Sequence, residues 1–288
     1  MIFVNFIGGL GNQMFQYAFL KQIEKDYGKE NVLAVDYGFK DYDLRNFELN
    51  SIFGIQLDYA KHEDVSTFKN NSLLNKIIRR IRGNVYVSEY KIDSIEQLTQ
   101  KIKKHKNVYL FGYWQSEKYF KDVIPDLKNT FSFPIQKLSN QNKELLAKIK
   151  ETNSVSLHMR RGDYLNKDVD RIKGGICTTA YYQQAIREMR GLNEMPTFFV
   201  FSDDIEYAKS ELDFKNCETH FVSWNTSEDS FWDLYLMSQC KHNVIANSSF
   251  SWWGAWLNDN VDKRVIAPKI WRFDEYNSDR LPAIWSKF

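Results

Sequence analysis

Apolar and polar residues follow one another in short blocks along the second half of the chain, and these blocks predict strands and helices in turn. The runs SVSLHM (154–159) and TFFVFS (197–202) are short and apolar, which is typical of buried strands. The segments TAYYQQAIREMR (179–190) and DSFWDLYLMSQC (229–240) have the spacing of amphipathic helices. The remaining predicted elements are, in order, helix DIEYAKSEL, strand THFVS, strand HNVIA, helix FSWWGAWLN and strand RVIAP. Strands that alternate with helices predict a parallel sheet wound on both faces.

The first half begins with the apolar stretch MIFVNFIGGLGNQMFQYAFL, which lacks the basic start of a secretory signal and is broken by glycines. We interpret it as strand, turn and helix, because Phe15, Phe19, Ile23 and Tyr27 recur every four residues after the glycines. NVLAVD (31–36) and NVYLFGYW (107–114) predict two further strands, separated by a polar middle with helical patches. The helical segment QNKELLAKIKETN (141–153) lies between the halves, so we predict domains at 1–150 and 151–288.

Membrane contact is limited by the same pattern. No later stretch reaches the length of about 18 apolar residues that a spanning helix needs. The basic segment KIIRRIR (76–82) could make a peripheral contact at the inner membrane, but a solvated helix face is the preferred interpretation.

Composition narrows the class of partner. With 39 Lys and Arg against 37 Asp and Glu the formal charge is only +2, so binding of nucleic acid over the whole surface is not expected. Three cysteines, Cys177, Cys217 and Cys240, lack the spacing of a metal site, and their odd number argues for reduced thiols in the cytoplasm. Aromatic residues make up 16% of the chain, enough for a packed core and for stacking on a sugar or base.

Three polar loops follow strands of the second half, and ligands of such sheets bind at the carboxyl ends of strands. HMRRGDYL (158–165) supplies Arg160 and Arg161, whose guanidinium groups bind phosphates in a bidentate manner. NSSFSWW (247–253) opens a helix with hydroxyl groups and free backbone N–H groups. SDD (202–204) supplies Asp203 and Asp204, which could pair with a purine edge or a ribose hydroxyl. The pocket predicted is that of a nucleoside diphosphate.

Each signal also has a structural interpretation. Adjacent arginines often pair with nearby acids, and Asp163 is close in sequence. The RGD triplet at 161–163 arises by chance too often to indicate adhesion, and GGLGN alone is a weak phosphate signal. His158 could be a core histidine and Cys177 a small apolar residue, while Trp252, Trp253 and Trp256 are expected to be buried.

Four blocks together resemble a known family. GGLGNQMFQYA (8–18), HMRRGDY (158–164), FVFSDDIEYAK (199–209) and NSSFSWWGAWL (247–257) are similar, in order, to the signature blocks of the bacterial α-1,2-fucosyltransferases of glycosyltransferase family 11. The resemblance implies an α/β fold of the GT-B type, with two Rossmann-like domains that face a cleft. It implies GDP-fucose as the donor, a galactose-terminated oligosaccharide as the acceptor, inversion at the anomeric carbon, and no required metal or other cofactor.

The resemblance also implies roles for single residues. Arg160 would contact the pyrophosphate and Arg161 would support it, while His158 and Asp203 or Asp204 would read guanine or ribose. The remaining candidate ligands are Asn247, Ser249, Phe250 and Ser251 in the second half and Asn12 and Gln13 in the first. The second half is therefore the expected donor domain, and the first half the expected acceptor side.

The general base is left open by the sequence. Asp163, Asp168 and Glu206 are candidates to take the proton of the acceptor hydroxyl, and Asp163 is equally well placed to pair with Arg161. DVD at 168–170 has the form of a metal-binding D-x-D motif. In that case a divalent ion, and not the arginines, would hold the diphosphate. Two other classes stay open: a transferase of a different GDP-sugar or acceptor, and a nucleotide-binding module without turnover.

Overall fold

The computed structural model describes residues 1–37, 47–69, 72–162, 174–273 and 279–288, and within them the chain forms two compact units. The first unit comprises Met1–Ser132 and the second Phe133–Phe288. Each unit contains one sheet in which every described strand pairing is parallel. The two α/β units expected from the sequence are therefore confirmed.

The first unit has a four-stranded sheet in the order β2-β1-β4-β3. Its strands are β1 (Ile2–Asn5), β2 (Val32–Val35), β3 (Asn84–Ser88) and β4 (Asn107–Phe111). Its helices are α1 (Leu10–Tyr27), α2 (Leu49–Phe53), α3 (His62–Lys69), α4 (Leu73–Ile81), α5 (Ile95–Lys104) and α6 (Ile124–Thr130). Strand β3 was not among the predicted strands, because this edge strand has only one buried residue, Val87.

The second unit has a six-stranded sheet in the order β10-β9-β8-β5-β6-β7. Its strands are β5 (Ser154–Met159), β6 (Thr197–Ser202), β7 (Thr219–Val222), β8 (His242–Val244), β9 (Val265–Ala267) and β10 (Ser286–Lys287). Its helices are α7 (Asn140–Glu151), α8 (Thr179–Arg190), α9 (Ile205–Glu211), α10 (Phe231–Gln239) and α11 (Ser249–Trp256). The predicted strands and helices of this half are all present.

The core of the second unit explains why its central strand reads as a continuous apolar run. All six residues of β5 are buried, as expected of a strand covered on both faces. Helix α8 is capped by Thr178, whose hydroxyl accepts a hydrogen bond from the Tyr181 amide, and the helix buries Tyr182, Ile186 and Met189 against the sheet. This packing fixes the carboxyl end of β5, where the two arginines follow.

The boundary between the units differs from the predicted one. The chain divides after Ser132, so helix α7 belongs to the second unit, where it packs against α10. The division expected after residue 150 lies too late, because a polar helix between two apolar regions looks like a linker in sequence although its buried face, with Leu145 and Ile149, is part of the second core.

Every helix in the described ranges is too short or too polar to cross a lipid bilayer.

Candidate active site

The strand order of the second unit creates a switch point next to β5. The chain runs from β5 outward through β6 to β7, and then returns to the other side of β5 as β8. The loops that follow β5 and β8 therefore diverge at the carboxyl edge of the sheet, which is where ligands of such folds bind. These loops carry Arg160 and Arg161 on one side and the start of helix α11 on the other.

Arg160 is held at this edge by an acid of the neighbouring loop. Its Nη1 lies 3.0 Å from Oδ2 of Asp203, and each of the two side chains is about a quarter exposed. Asp203 Oδ1 also accepts a hydrogen bond of 2.8 Å from the backbone amide of Arg161. A Cβ at Gly162 would lie 3.0 Å from Asp203 Oδ2, so the glycine allows the loop to pass close to this carboxylate. The Asp203 carboxylate therefore orients the Arg160 guanidinium.

Arg161 is fixed by a different set of contacts. Its Nη1 lies 2.7 Å from Asp204 Oδ2, and its guanidinium carbon lies 3.8 Å from the centre of the Tyr207 ring, a cation–π contact. Asp204 also caps helix α9, since its Oδ1 accepts a hydrogen bond of 3.1 Å from the Tyr207 amide. Each arginine thus has its own acid on the SDD loop. Asp163, the partner considered from the sequence, lies outside the described residues.

His158, near the end of β5, is buried and neutral. Burial first, and then the positive charge of Arg160, lower the pKa of its imidazole to about 4, although Asp203 acts in the opposite direction. The Nδ1 atom has no hydrogen-bond partner among the described residues. The ring centre lies 5.9 Å from that of Phe250, across the switch point. At neutral pH this imidazole is suited to pair with a neutral polar group of a ligand.

Helix α11 presents its first turn to the same edge. Ser248, the residue before it, makes no side-chain capping bond to the first turn. The amides at the start of a helix favour an anion when no side chain caps them. Ser249 and Phe250 are half-buried, whereas Ser251 is buried and its hydroxyl lies 3.4 Å from the Ser248 carbonyl. The hydroxyl of Ser249 is thus better placed for a ligand than that of Ser251.

The three tryptophans of α11 anchor this turn. All are buried, as expected from the sequence, and Trp252 Nε1 donates a hydrogen bond of 2.8 Å to the Arg280 carbonyl. The helix start is therefore rigidly attached to the core.

Asn247 has its amide group directed at neighbouring loops. Its Oδ1 accepts a hydrogen bond of 3.4 Å from the Cys177 thiol, and its Nδ2 donates one of 3.3 Å to the Trp271 carbonyl. Burial raises the pKa of Cys177 to about 12, so this thiol stays protonated and can donate. Asn247 thus joins three segments at the carboxyl edge, and such a role was not foreseen for it or for Cys177.

The first unit has a comparable switch point between β1 and β4, and Asn12 and Gln13 lie near it. Gln13 is fully buried; its amide nitrogen donates to the Gly8 carbonyl at 2.9 Å and its oxygen accepts from the Glu48 amide at 2.8 Å. Asn12 is half-buried and accepts a hydrogen bond of 2.6 Å from Gln115. Gln13 therefore shapes the turn, and Asn12 is the one of the two that reaches the surface.

Glu89 and Gln16 at this edge were missed by sequence reasoning. Oε2 of the buried Glu89 accepts hydrogen bonds from the amides of Tyr113 and Trp114 at 2.8 and 2.9 Å, where Trp114 has a positive φ of 55°. Gln16 bridges the Ile7 amide and the Gly112 carbonyl at 3.0 Å each. Gly112 is 96 residues from Gln16, and Tyr113 and Trp114 are 24 and 25 residues from Glu89, so no local pattern could have revealed these contacts.

Of the candidates for the general base and for metal binding, the structure describes only Glu206. Glu206 lies on the surface of α9 with a side chain 84% exposed, paired with Lys209 at 2.7 Å. Asp168 and the DVD segment lie outside the described residues, as does Asp163. Within the described ranges no group of three or more His, Cys, Asp or Glu side chains is arranged to hold a metal ion.

Comparison with known proteins agrees with the resemblance found in the sequence. The family model described as glycosyl transferase family 11 matches residues 1–286. An α-1,2-colitosyltransferase from Escherichia coli is 37% identical over 96% of this chain and 95% of its own. Human galactoside α-(1,2)-fucosyltransferase 1 is 33% identical over 103 residues, which cover 36% of this chain and 28% of its own.

Among solved structures, the fucosyltransferase NodZ from Bradyrhizobium has the same type of fold. It is 10% identical, with a TM-score of 0.50 over 89% of this chain and 92% of its own. The GT-B type fold expected from the sequence is thus confirmed. The whole-length match to the family model shows that this chain belongs to glycosyl transferase family 11.

Proposed function

We propose that this protein transfers L-fucose from GDP-fucose to the 2-hydroxyl of a galactose-terminated glycan, with inversion at the anomeric carbon. The observation that carries the proposal is the position of Arg160 at the β5–β8 switch point, beside the uncapped start of α11. Family membership supports glycosyl transfer as the reaction class.

Departure of GDP places negative charge on the β-phosphate. A guanidinium in fixed orientation and the first amides of a helix stabilise such a charge better in the transition state than in the bound substrate. Arg160 and the backbone of Ser249 and Phe250 have these roles in the proposal. The NodZ protein, which has the same fold type, was co-crystallised with GDP.

The arginines remove the need for a metal in this proposal. They supply fixed positive charge where a metal-dependent transferase would use Mn²⁺ or Mg²⁺. Arg161 has a supporting role in this proposal: it holds the loop after β5 in place, because its guanidinium contacts Asp204 and Tyr207 at the start of helix α9.

The nucleoside would be recognised by neutral contacts. The buried His158 imidazole has an unpaired Nδ1 and is uncharged at neutral pH, which suits a guanine edge or a ribose hydroxyl. Asp203 and Asp204 orient the arginines, and a contact of either acid with the nucleoside would be a second role.

The general base in this proposal is Asp163. Of the three candidates, Glu206 is described and lies exposed against Lys209. Asp163 is only three residues after Arg160, so the length of the chain between them keeps the two residues close together. It would accept the proton of the attacking 2-hydroxyl.

The acceptor and linkage rest on similarity to human galactoside α-(1,2)-fucosyltransferase 1 over about a third of this chain, and Asn12 is the described residue proposed to reach the acceptor. Colitosyl transfer is a second candidate, because an α-1,2-colitosyltransferase is 37% identical over nearly the whole chain. Colitose is fucose without the 3-hydroxyl. A site that hydrogen-bonds this hydroxyl rejects colitose strongly, whereas an apolar site tolerates both sugars.

A cytoplasmic location is part of the proposal. Cys177, Cys217 and Cys240 are all free thiols. Unpaired cysteines are typical of a reducing compartment.

The test is a transfer assay with GDP-fucose and GDP-colitose as donors and lactose, type 1 and type 2 disaccharides as acceptors. We expect GDP-fucose to be preferred and the product linkage, assigned by NMR, to be α-1,2 to galactose. A preference for GDP-colitose would favour the second candidate, and donor binding without transfer or hydrolysis would favour a non-catalytic module. GDP should also raise the melting temperature much more than UDP, because a guanine site leaves polar groups unpaired when uracil occupies it.

A further inference from the structure

Helix α4 presents a row of apolar side chains away from the protein. Leu73, Ile77 and Ile81 recur every four residues and are 79%, 57% and 80% exposed. Residues at this spacing lie on one face of a helix. An amphipathic helix normally buries its apolar face, so this exposed apolar row, Leu73, Ile77 and Ile81, requires an explanation.

The orientation of α4 is fixed by its attachment to the unit. Arg79, on another face of the helix, donates hydrogen bonds to the carbonyls of Phe68 and Thr67 at 3.0 and 3.4 Å, at the end of α3. Ile78 is half-buried on the inner side. The outward direction of the apolar row is therefore part of the packed structure.

Exposed cations continue this surface at the amino-terminal edge of the first sheet. The Gly83 carbonyl, just after α4, accepts hydrogen bonds from the amides of Lys106 and Asn107 at 2.9 and 3.3 Å, so the end of α4 touches the turn between α5 and β4. Five exposed basic residues surround this junction, and we call them the basal cations: Arg80, Arg82, Lys103, Lys104 and Lys106. None of the five forms a salt bridge with a residue in the described ranges.

We propose that the exposed apolar row and the basal cations bind the enzyme to an anionic lipid surface. Apolar side chains that enter the headgroup boundary, flanked by cations that attract anionic lipids, are the features of an interfacial helix. The proposal reverses the preferred sequence interpretation of KIIRRIR as a solvated face, because the structure directs its isoleucines at 77 and 81 outward.

The positive charge of the basal cations, together with the exposed apolar row, distinguishes between the possible binding partners of this surface. A second copy of the chain in a two-fold pairing would bring the basal cations against one another, which is repulsive. A nucleic acid would satisfy the cations but leave the apolar row in water. An anionic bilayer satisfies both, and the basal cations lie at the end of the first sheet opposite its carboxyl edge, where Asn12 lies.

The proposal does not depend on the sugar that the enzyme transfers. The test is co-sedimentation of the full chain with vesicles of phosphatidylcholine alone or in equimolar mixture with phosphatidylglycerol. We expect binding to the mixed vesicles, weak binding to phosphatidylcholine, and loss of binding as NaCl is raised.

Two paired variants separate the contributions. Ile77→Asn with Ile81→Asn should weaken binding about tenfold for each isoleucine, and Arg80→Gln with Arg82→Gln about fivefold for each charge. The matched controls are Val261→Asn, which alters a residue 93% exposed in the second unit, and Lys137→Gln with Lys143→Gln, two exposed cations there. All variants should retain transfer to a soluble acceptor, which shows that they fold.

The proposal fails if mixed vesicles bind no better than phosphatidylcholine or if the α4 variants bind like the controls. It also fails if duplex DNA binds in place of the vesicles and the arginine variant abolishes that binding. Dimerisation that the isoleucine variant abolishes would assign the row to contact between copies of the chain and overturn the proposal as well.

Discussion

Asp203 holds Arg160 at 3.0 Å and, through its other oxygen, the backbone amide of Arg161 at 2.8 Å. One carboxylate thus connects the loop after β6 to both residues that follow β5. Its primary role in the described structure is to orient a cation. This distinguishes it from the nucleoside-reading acid that the sequence suggested, and the two roles give different kinetics.

Asp203→Asn should lower kcat for transfer about tenfold and leave KM for the GDP-sugar nearly unchanged. The amide can still accept a hydrogen bond from Arg161 N–H but no longer orients the guanidinium by charge, and tenfold in rate corresponds to about 1.4 kcal/mol. Steady-state kinetics measure both constants.

Asp213→Asn is the matched control, because Asp213 pairs with Lys215 on the surface of the same unit. It should have no effect. A large rise in KM for Asp203→Asn with unchanged kcat would instead assign Asp203 to nucleoside recognition.

Arg161→Ala should destabilise the second unit by about 1 kcal/mol, since it removes a partly exposed ion pair and a cation–π contact. Tyr207→Leu should cause part of the same loss, and Arg187→Ala, at an exposed arginine of α8, almost none. Urea unfolding measures the three values. Equal stability of Arg161→Ala and the wild type would show that these contacts do not hold the loop.

The depressed pKa of His158 predicts a pH dependence of stability. The imidazole titrates near its ordinary pKa of 6.5 when unfolded and at about 4 when folded, so the unfolded state binds the proton first as pH falls. The free energy of unfolding should therefore be unaffected by this group above pH about 7 and fall by up to about 3 kcal/mol as pH decreases to about 4.

His158→Gln lacks the titrating group, so its difference from the wild type isolates this contribution from those of the carboxylates. Unfolding by urea at a series of pH values measures both proteins. Parallel stability curves for the two would mean that His158 is not held neutral.

Removal of divalent metal ions with EDTA tests whether the arginines or a metal ion bound by the DVD segment neutralises the leaving diphosphate. If Arg160 and the start of α11 neutralise the leaving diphosphate, the transfer rate in excess EDTA should stay within about twofold of the rate without it. Asp170→Asn should be nearly silent for the same reason, and it is a better probe than Asp168, which is also a base candidate. A collapse of activity in EDTA that Mn²⁺ restores would assign the leaving-group charge to a metal.

The fold was predictable where burial is continuous. Strands β5 and β6 read as apolar runs because helices cover both their faces, and the rule that ligands bind at the carboxyl ends of parallel strands then selects Arg160 and Ser249. Edge strand β3 was not predicted because only its Val87 is buried. Helix α7 was interpreted as a linker because polar residues dominate its sequence.

The sequence did not predict which residues of the candidate site make structural contacts within the protein. Gln13 and Asn247 have side chains that suit a ligand, yet their amides bond to the backbone of Glu48 and Trp271, which are distant in sequence. Asp203 and Asp204 were expected to face a nucleoside, and each is paired with an arginine. Such partners are set by tertiary packing, which leaves no periodic signal in the sequence.

The central claim is that Arg160 stabilises the leaving diphosphate, and kcat of Arg160→Ala at saturating GDP-fucose tests it most directly. Loss of one charge-assisted contact that strengthens in the transition state costs about 3 kcal/mol or more, so kcat should fall at least about a hundredfold while the melting temperature stays near that of the wild type. Arg161→Ala should lose less activity, because its guanidinium is already engaged by Asp204 and Tyr207. A folded Arg160→Ala protein with near wild-type kcat would contradict the account.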